Sequence, residues 1–236
     1  LHDSNEKVRE QARYALVRAK KKAIPLLLRS LRSRYLFTRI QAAKALGSLS
    51  KPSDQVVLAL ISALRDKKRQ VYWQVSNALV NIGEKAAPSL VKALRRTNVK
   101  KQIRIIQTLG DIGPKAHTAV FLLTRYLYAK ENNLRFYAAK ALGQIGPKAE
   151  KAIPELRRSL QDKDSGVRAY AAEALGKIGP SSSIAVPQLA SLLQDNDSEV
   201  RKAVAKTLQQ LGSHARPALP LLIRALRDEN SFVVNS

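Results

Sequence analysis

Two rows of polar positions recur along this 236-residue chain. Arg29, Ser62, Lys92, Arg125, Arg158, Ser191 and Arg224 each stand two residues before a leucine; Arg32, Arg65, Arg95, Tyr128, Gln161, Gln194 and Arg227 each stand one residue after it. Positions three apart share one face of a helix. Five of seven in the first row and four of seven in the second are cationic. Guanidinium and ammonium groups so arranged make and break no bonds, but they hold carboxylates or phosphates through charge-assisted hydrogen bonds and a summed field. The nine cations are therefore the candidate binding residues, and the ligand they imply is acidic.

The charge of the whole chain agrees. Lys and Arg number 42 against 18 Asp and Glu, a net of +24. Residues 1–150 carry 30 against 9, or +21, and residues 151–236 only 12 against 9, or +3. Such a field suits an acidic protein, a nucleic acid or an anionic membrane surface. Basic clusters at 20–22, 65–69, 95–96 and 100–101 could extend the same patch. Aromatic pairs at Tyr35 and Phe37, Tyr72 and Trp73, and Phe136 and Tyr137 read mainly as wedges between packed elements. Trp73, the one tryptophan, and Tyr128 are the candidates for stacking on a ligand.

Other chemistry finds little support. Cysteine is absent, so thiol nucleophiles, thiolate metal sites and disulfides are excluded. His2, His117 and His214 do not cluster, and no nucleophile elbow, glycine-rich phosphate loop or metal-ligand spacing occurs. Glu155 and Glu173 read as solvent-facing. No catalytic residue, metal or cofactor is expected. No apolar run is long enough to cross a bilayer and no signal sequence opens the chain, so a soluble, cytoplasmic protein is expected.

The elements that must position the cations follow from the leucines. Leu16, Leu46, Leu79, Leu109, Leu142, Leu175 and Leu208 recur every 30 or 33 residues; a second set, Leu31, Leu64, Leu94, Leu127, Leu160, Leu193 and Leu226, follows each by 15 or 18. From each second leucine to the next first one the distance is always 15, so the length varies only inside the repeat. Apolar residues at helical spacing, such as Val167, Tyr170, Ala171, Ala174, Leu175 and Ile178, make each unit a pair of helices. Gly-Pro at 113/114, 146/147 and 179/180 ends the first helix through a left-handed glycine cap. Pro25, Pro88, Pro154, Pro187 and Pro220, six residues before the second leucine, open the second helix. One such hairpin cannot bury its apolar stripe alone, so neighbours must stack.

The pattern D-x-D-x-x-V-R-x-x-A-x-x-A-L-G-x-I-G-P, clearest in "DKDSGVRAYAAEALGKIGP" and "DNDSEVRKAVAKTLQQLG" and weakest in "TNVKKQIRIIQTLGDIGP", resembles the HEAT-like repeats of the phycobilisome lyases. The resemblance implies an all-α fold, a right-handed α-solenoid of about seven hairpins. Its repeats would span approximately 3–33, 34–66, 67–96, 97–129, 130–162, 163–195 and 196–228, with an eighth opening at 229–236. We expect a single solenoid and, because Leu1 and Val233 belong to incomplete repeats, a segment of a longer protein. In this family the second helices line the concave side, which would gather the nine cations into one basic groove. Asp162 with Arg168, Asp195 with Arg201 and Asp3 with Arg9 match the family's Asp and Arg that hydrogen-bond between adjacent repeats. The middle repeats depart, with Asp66 before Tyr72 and no acid before Lys101. The family includes scaffolds, adaptors, lyase subunits and DNA-binding enzymes, so the resemblance leaves function open. The expectation is a non-catalytic scaffold for an acidic protein partner, with nucleic-acid binding as the alternative and a phycobilin-lyase-like subunit as the weaker one. The oligomeric state is not readable.

Overall fold

The computed structural model describes residues 3, 5–18, 23–95, 97–220 and 223, apart from the side chains of 16–18 and 217. Arg224, Arg227, the basic run at 20–22, Arg96 and the expected eighth repeat lie outside these residues. Among the described residues every regular element is helical: α1 (Glu6–Arg18), α2 (Ile24–Ser30), α3 (Leu36–Gly47), α4 (Asp54–Ala63), α5 (Arg69–Ile82), α6 (Ala87–Leu94), α7 (Val99–Ile112), α8 (Val120–Tyr126), α9 (Asn132–Ile145), α10 (Ile153–Ser159), α11 (Ser165–Ile178), α12 (Val186–Ser191) and α13 (Ser198–Leu211). Odd-numbered helices are the first of each repeat and even-numbered ones the second. The chain is an all-α solenoid repeat.

Local chemistry sets the helix ends. The side chains of Asp164 and Asp197 accept from Val167 N–H at 3.0 Å and Glu199 N–H at 2.9 Å, capping α11 and α13. Gly146 (φ 68°, ψ −140°) and Gly179 (φ 92°, ψ −151°) end α9 and α11. These angles lie outside the left-handed helical well in which the caps were expected, in a region open essentially to glycine alone, because there the chain must turn sharply into a 3₁₀ stretch. Pro88, Pro154 and Pro187 stand in the first turn of α6, α10 and α12, where a missing N–H costs no helical bond.

Packing divides the chain into two compact units, Leu1–Ile112 and Gly113–Ser236. In the first, α3 packs on α1 and α5, and α5 on α7. In the second, α11 packs on α9 and α13. The described leucines of both sets are buried, from Leu31 to Leu208. Small residues let first helices approach closely: a Cβ on Gly47 would lie 2.6 Å from Ala78 Cα, and one on Gly143 would lie 2.9 Å from Ala174 Cα.

A ladder of arginines joins successive repeats within each unit. Arg168 clasps the Asp195 carboxylate through Nε and Nη2, both at 2.8 Å, while its Nη1 donates to the Asp162 carbonyl at 2.9 Å. Arg135 repeats this with the Asp162 carboxylate (2.6 and 2.8 Å) and the Ala129 carbonyl (3.0 Å). Arg39 does so with Asp66 (2.7 and 3.3 Å) and the Ser33 carbonyl (2.8 Å). The residue six before each arginine (Asp162, Ala129 or Ser33) thus offers its carbonyl, while the carboxylate comes from 27 residues downstream. Asp66 is part of the ladder through Arg39 even though Tyr72 follows it.

Where the ladder lacks its arginine at position 72, another replaces it. Buried Arg104 of α7 reaches back, stacks 3.5 Å from the Tyr72 ring centroid and donates from Nη1 to the Leu64 carbonyl and, at 3.0 Å, to the Asp66 carbonyl. Lys101, on the same helix, occupies the core position held elsewhere by Val71, Leu134, Val167 and Val200. Burial, aided by the charge of Arg65, pushes its pKa below the ordinary lysine value. Two of the expected aromatic wedges are present, since Phe136 meets Tyr170 of the next first helix edge-on at 4.4 Å and Phe37 lies 4.7 Å from the Arg9 guanidinium, whereas Tyr35 and Trp73 are exposed.

Candidate protein-binding surface

Arginines fall into two sets. Those of the ladder are paired and largely withdrawn from solvent. Those on the second helices and the turns after them, Arg29, Arg32, Arg65, Lys92, Arg95 and Arg125, are exposed, and none forms an ion pair with a described acid. Arg158 is exposed too, and its Nη1 donates to Tyr128 Oη at 3.0 Å, a bond that raises its pKa.

In the first unit, Arg29 of α2 and Arg32 of the turn after it share a cleft of about 670 Å³ with Leu28 and with Leu58 and Ser62 of α4. In the second, Arg125 and Tyr128 line a cleft of about 550 Å³ with Phe121 of α8 and, from the next repeat, Lys148, Lys151 and Glu155. Phe121 and Arg125, four residues apart, share one face of α8, and the turn after the helix brings Tyr128 to the same cleft. Tyr128 is 58% exposed and Phe121 71%. Glu155 is half-buried at this cleft, whereas the sequence placed it in solvent; the turn Gly146–Ala152 packs on α8 and leads directly into α10, which carries Glu155. Glu173 is partnered by Lys177 at 3.3 Å. Trp73, on the first helix α5, is 60% exposed and lines neither cleft.

Four cleft residues escaped the sequence reading. Leu58 and Phe121 occupy the position six before the second leucine at which five repeats carry proline, so the missing prolines were the available signal. Lys148 and Lys151 lie in a turn whose approach to α8 no spacing announces. Among the described residues no group of three or more His, Asp or Glu could hold a metal ion, and no helix is long and apolar enough to cross a membrane.

A family model for HEAT repeats matches residues 87–169, 121–186 and 160–236, which together cover more than half of the chain. The chain belongs to the HEAT repeat family. Solved structures of similar fold agree with that assignment. An engineered protein from the Northeast Structural Genomics Consortium aligns with a TM-score of 0.52 at 25% identity, over 81% of this chain and 97% of its own. The complex of CpcE and CpcF of phycocyanin lyase from Nostoc sp. PCC7120 aligns with a TM-score of 0.59 at 22% identity, over 66% of this chain and 99% of its own. A designed armadillo repeat protein aligns with a TM-score of 0.51 at 18% identity, over 80% and 99%. No curated protein matches. As a HEAT repeat protein the chain has the helical scaffold architecture consistent with protein–protein interaction.

Proposed function

We propose that this HEAT repeat protein is a non-catalytic scaffold that binds an acidic protein partner through the second-helix faces of its two units. The observation that carries the reading is the separation of the cations: ladder arginines are neutralised by aspartates, while Arg29, Arg32, Arg65, Lys92, Arg95 and Arg125 are exposed and form no ion pair with a described acid. Repulsion among unpaired like charges costs stability, and a bound carboxylate-rich surface removes that cost. Apolar side chains stand between the cations, Leu28 and Leu58 in one cleft and Phe121 in the other. A phosphate backbone has no use for the aliphatic Leu28 and Leu58, whereas protein interfaces have an apolar centre inside a polar rim. The nucleic-acid alternative draws on the net charge, the basic turn clusters and the exposed Trp73 and Tyr128 rings.

The test uses Arg29, Lys92 and Arg125 replaced together by Ser, the residue already present at 62 and 191. Helicity should stay at the parent value and the melting temperature at or slightly above it, while affinity for a labelled Asp/Glu-rich peptide falls about tenfold, since each exposed contact contributes about 0.5 kcal/mol and three are removed. Unchanged peptide affinity in the folded variant removes these faces from the account.

A further inference from the structure

The cleft in the second unit is built for more than charge. It is lined by the Phe121 ring, 71% exposed, whose contact with water gives the folded chain nothing. Phe121 is the second residue of α8, the place where α6, α10 and α12 carry Pro88, Pro154 and Pro187. Proline there suits the first turn of the helix, so phenylalanine gives up that backbone preference and adds a large apolar surface in water. Seven residues on, Tyr128 presents a second aromatic face, and its hydroxyl is fixed by Arg158 at 3.0 Å rather than left to rotate. The hydrogen bond orients the ring without covering it. Around these two rings stand Arg125, Lys148 and Lys151 against the single carboxylate of Glu155. The volume of about 550 Å³ lies within the roughly 300–1,000 Å³ typical of clefts that enclose a small ligand, enough for one bulky side chain and the backbone on either side of it.

The geometry points to a peptide-anchor site: the cleft between α8 and the turn leading into α10 takes one bulky apolar side chain, aromatic or leucine-like, from an acidic segment of a partner protein, whose flanking Asp and Glu meet Arg125, Lys148 and Lys151. The inference rests on the acidic-partner reading above and adds to it the feature the partner must carry. Charge complementarity selects the flanks. The ring faces of Phe121 and Tyr128 select the anchor, because apolar contact in a well-bounded pocket concentrates binding energy in one residue.

The experiment compares two labelled peptides by fluorescence anisotropy, an Asp/Glu-rich segment with one central tryptophan and the same segment with alanine there. On the parent chain the tryptophan peptide should bind about tenfold more tightly, a difference of about 1.4 kcal/mol. In Phe121→Ala that preference should collapse to within twofold, with affinity for the alanine peptide unchanged. Phe121→Pro, which installs the residue of the neighbouring repeats, should behave identically, and circular dichroism identifies either variant as folded. Equal binding of the two peptides to the parent, or a preference that survives both folded variants, overturns the anchor site and leaves the acidic-partner reading standing. Failure of both peptides to bind overturns the two together.

Discussion

At the scale of single residues, the ladder pairs turn pH into stability. In Asp162 and Asp195 burial is the largest single influence and favours the neutral form. It is outweighed by the hydrogen bonds and charge of Arg135 and Arg168 together with the backbone N–H groups of Asp164 and Asp197, so both carboxyls titrate below the ordinary 3.8. A folded-state value below the unfolded one adds stability that is complete above the unfolded value and lost as pH falls through the lowered one. The melting temperature should therefore stay level on this account down to about pH 5 and fall below pH 4, and Asp195→Asn should blunt that fall. At neutral pH the same substitution should cost about 2–3 kcal/mol, because Arg168 loses a bidentate charged acceptor while remaining half-buried. Lys101 obeys the opposite sign. Its lowered value means that the unfolded chain holds the proton more tightly, so its penalty shrinks as pH rises towards 10.5. Lys101→Val, restoring the core residue of the other repeats, should stabilise the chain by about 1 kcal/mol at neutral pH, with a smaller gain in alkaline solution, read by denaturant unfolding.

At the scale of elements, the helix boundaries were legible because the repeat itself reports them. A glycine or a proline that recurs in register in one chain marks a turn far more firmly than it would once. The Asp and Arg of the ladder were legible too, yet their wiring was not. The carboxylate partner lies 27 residues on, in the next turn, and only stacking brings it near. The substitution of Arg104 for an arginine at 72 was hidden for the same reason, since α7 reaches back over 38 residues to the Asp66 carbonyl. Arg104→Ala should cost about 2–3 kcal/mol, leaving the Leu64 and Asp66 carbonyls short of a donor and the Tyr72 ring uncovered. Close first-helix packing sets a further limit. Gly47→Ala would place a methyl 2.6 Å from both Cα and Cβ of Ala78, and forcing α3 from α5 should lower stability by about 1–3 kcal/mol. Thermal melts of both variants check these values.

At the scale of the whole molecule, two populations of cations divide the labour among the described residues: one ties repeats together, the other faces solvent without an ion pair to a described acid. Periodicity exposed the second population directly, because a face of a repeated helix is a column in the alignment. It did not expose Lys148 and Lys151, whose place at the cleft depends on how one turn packs on the neighbouring helix. Phe121 was visible only as an absent proline. The account's central claim is that the unpaired cations serve an acidic protein and not a polyanion at large. Its most direct test is anisotropy titration of the Asp/Glu-rich tryptophan peptide, polyglutamate and a mixed-sequence DNA duplex, each from low to physiological salt. Duplex and polyglutamate should bind only at low salt, where screening is weak, and the peptide alone should retain binding at physiological salt through its apolar anchor. A duplex that stays bound at physiological salt more tightly than the peptide would contradict that claim.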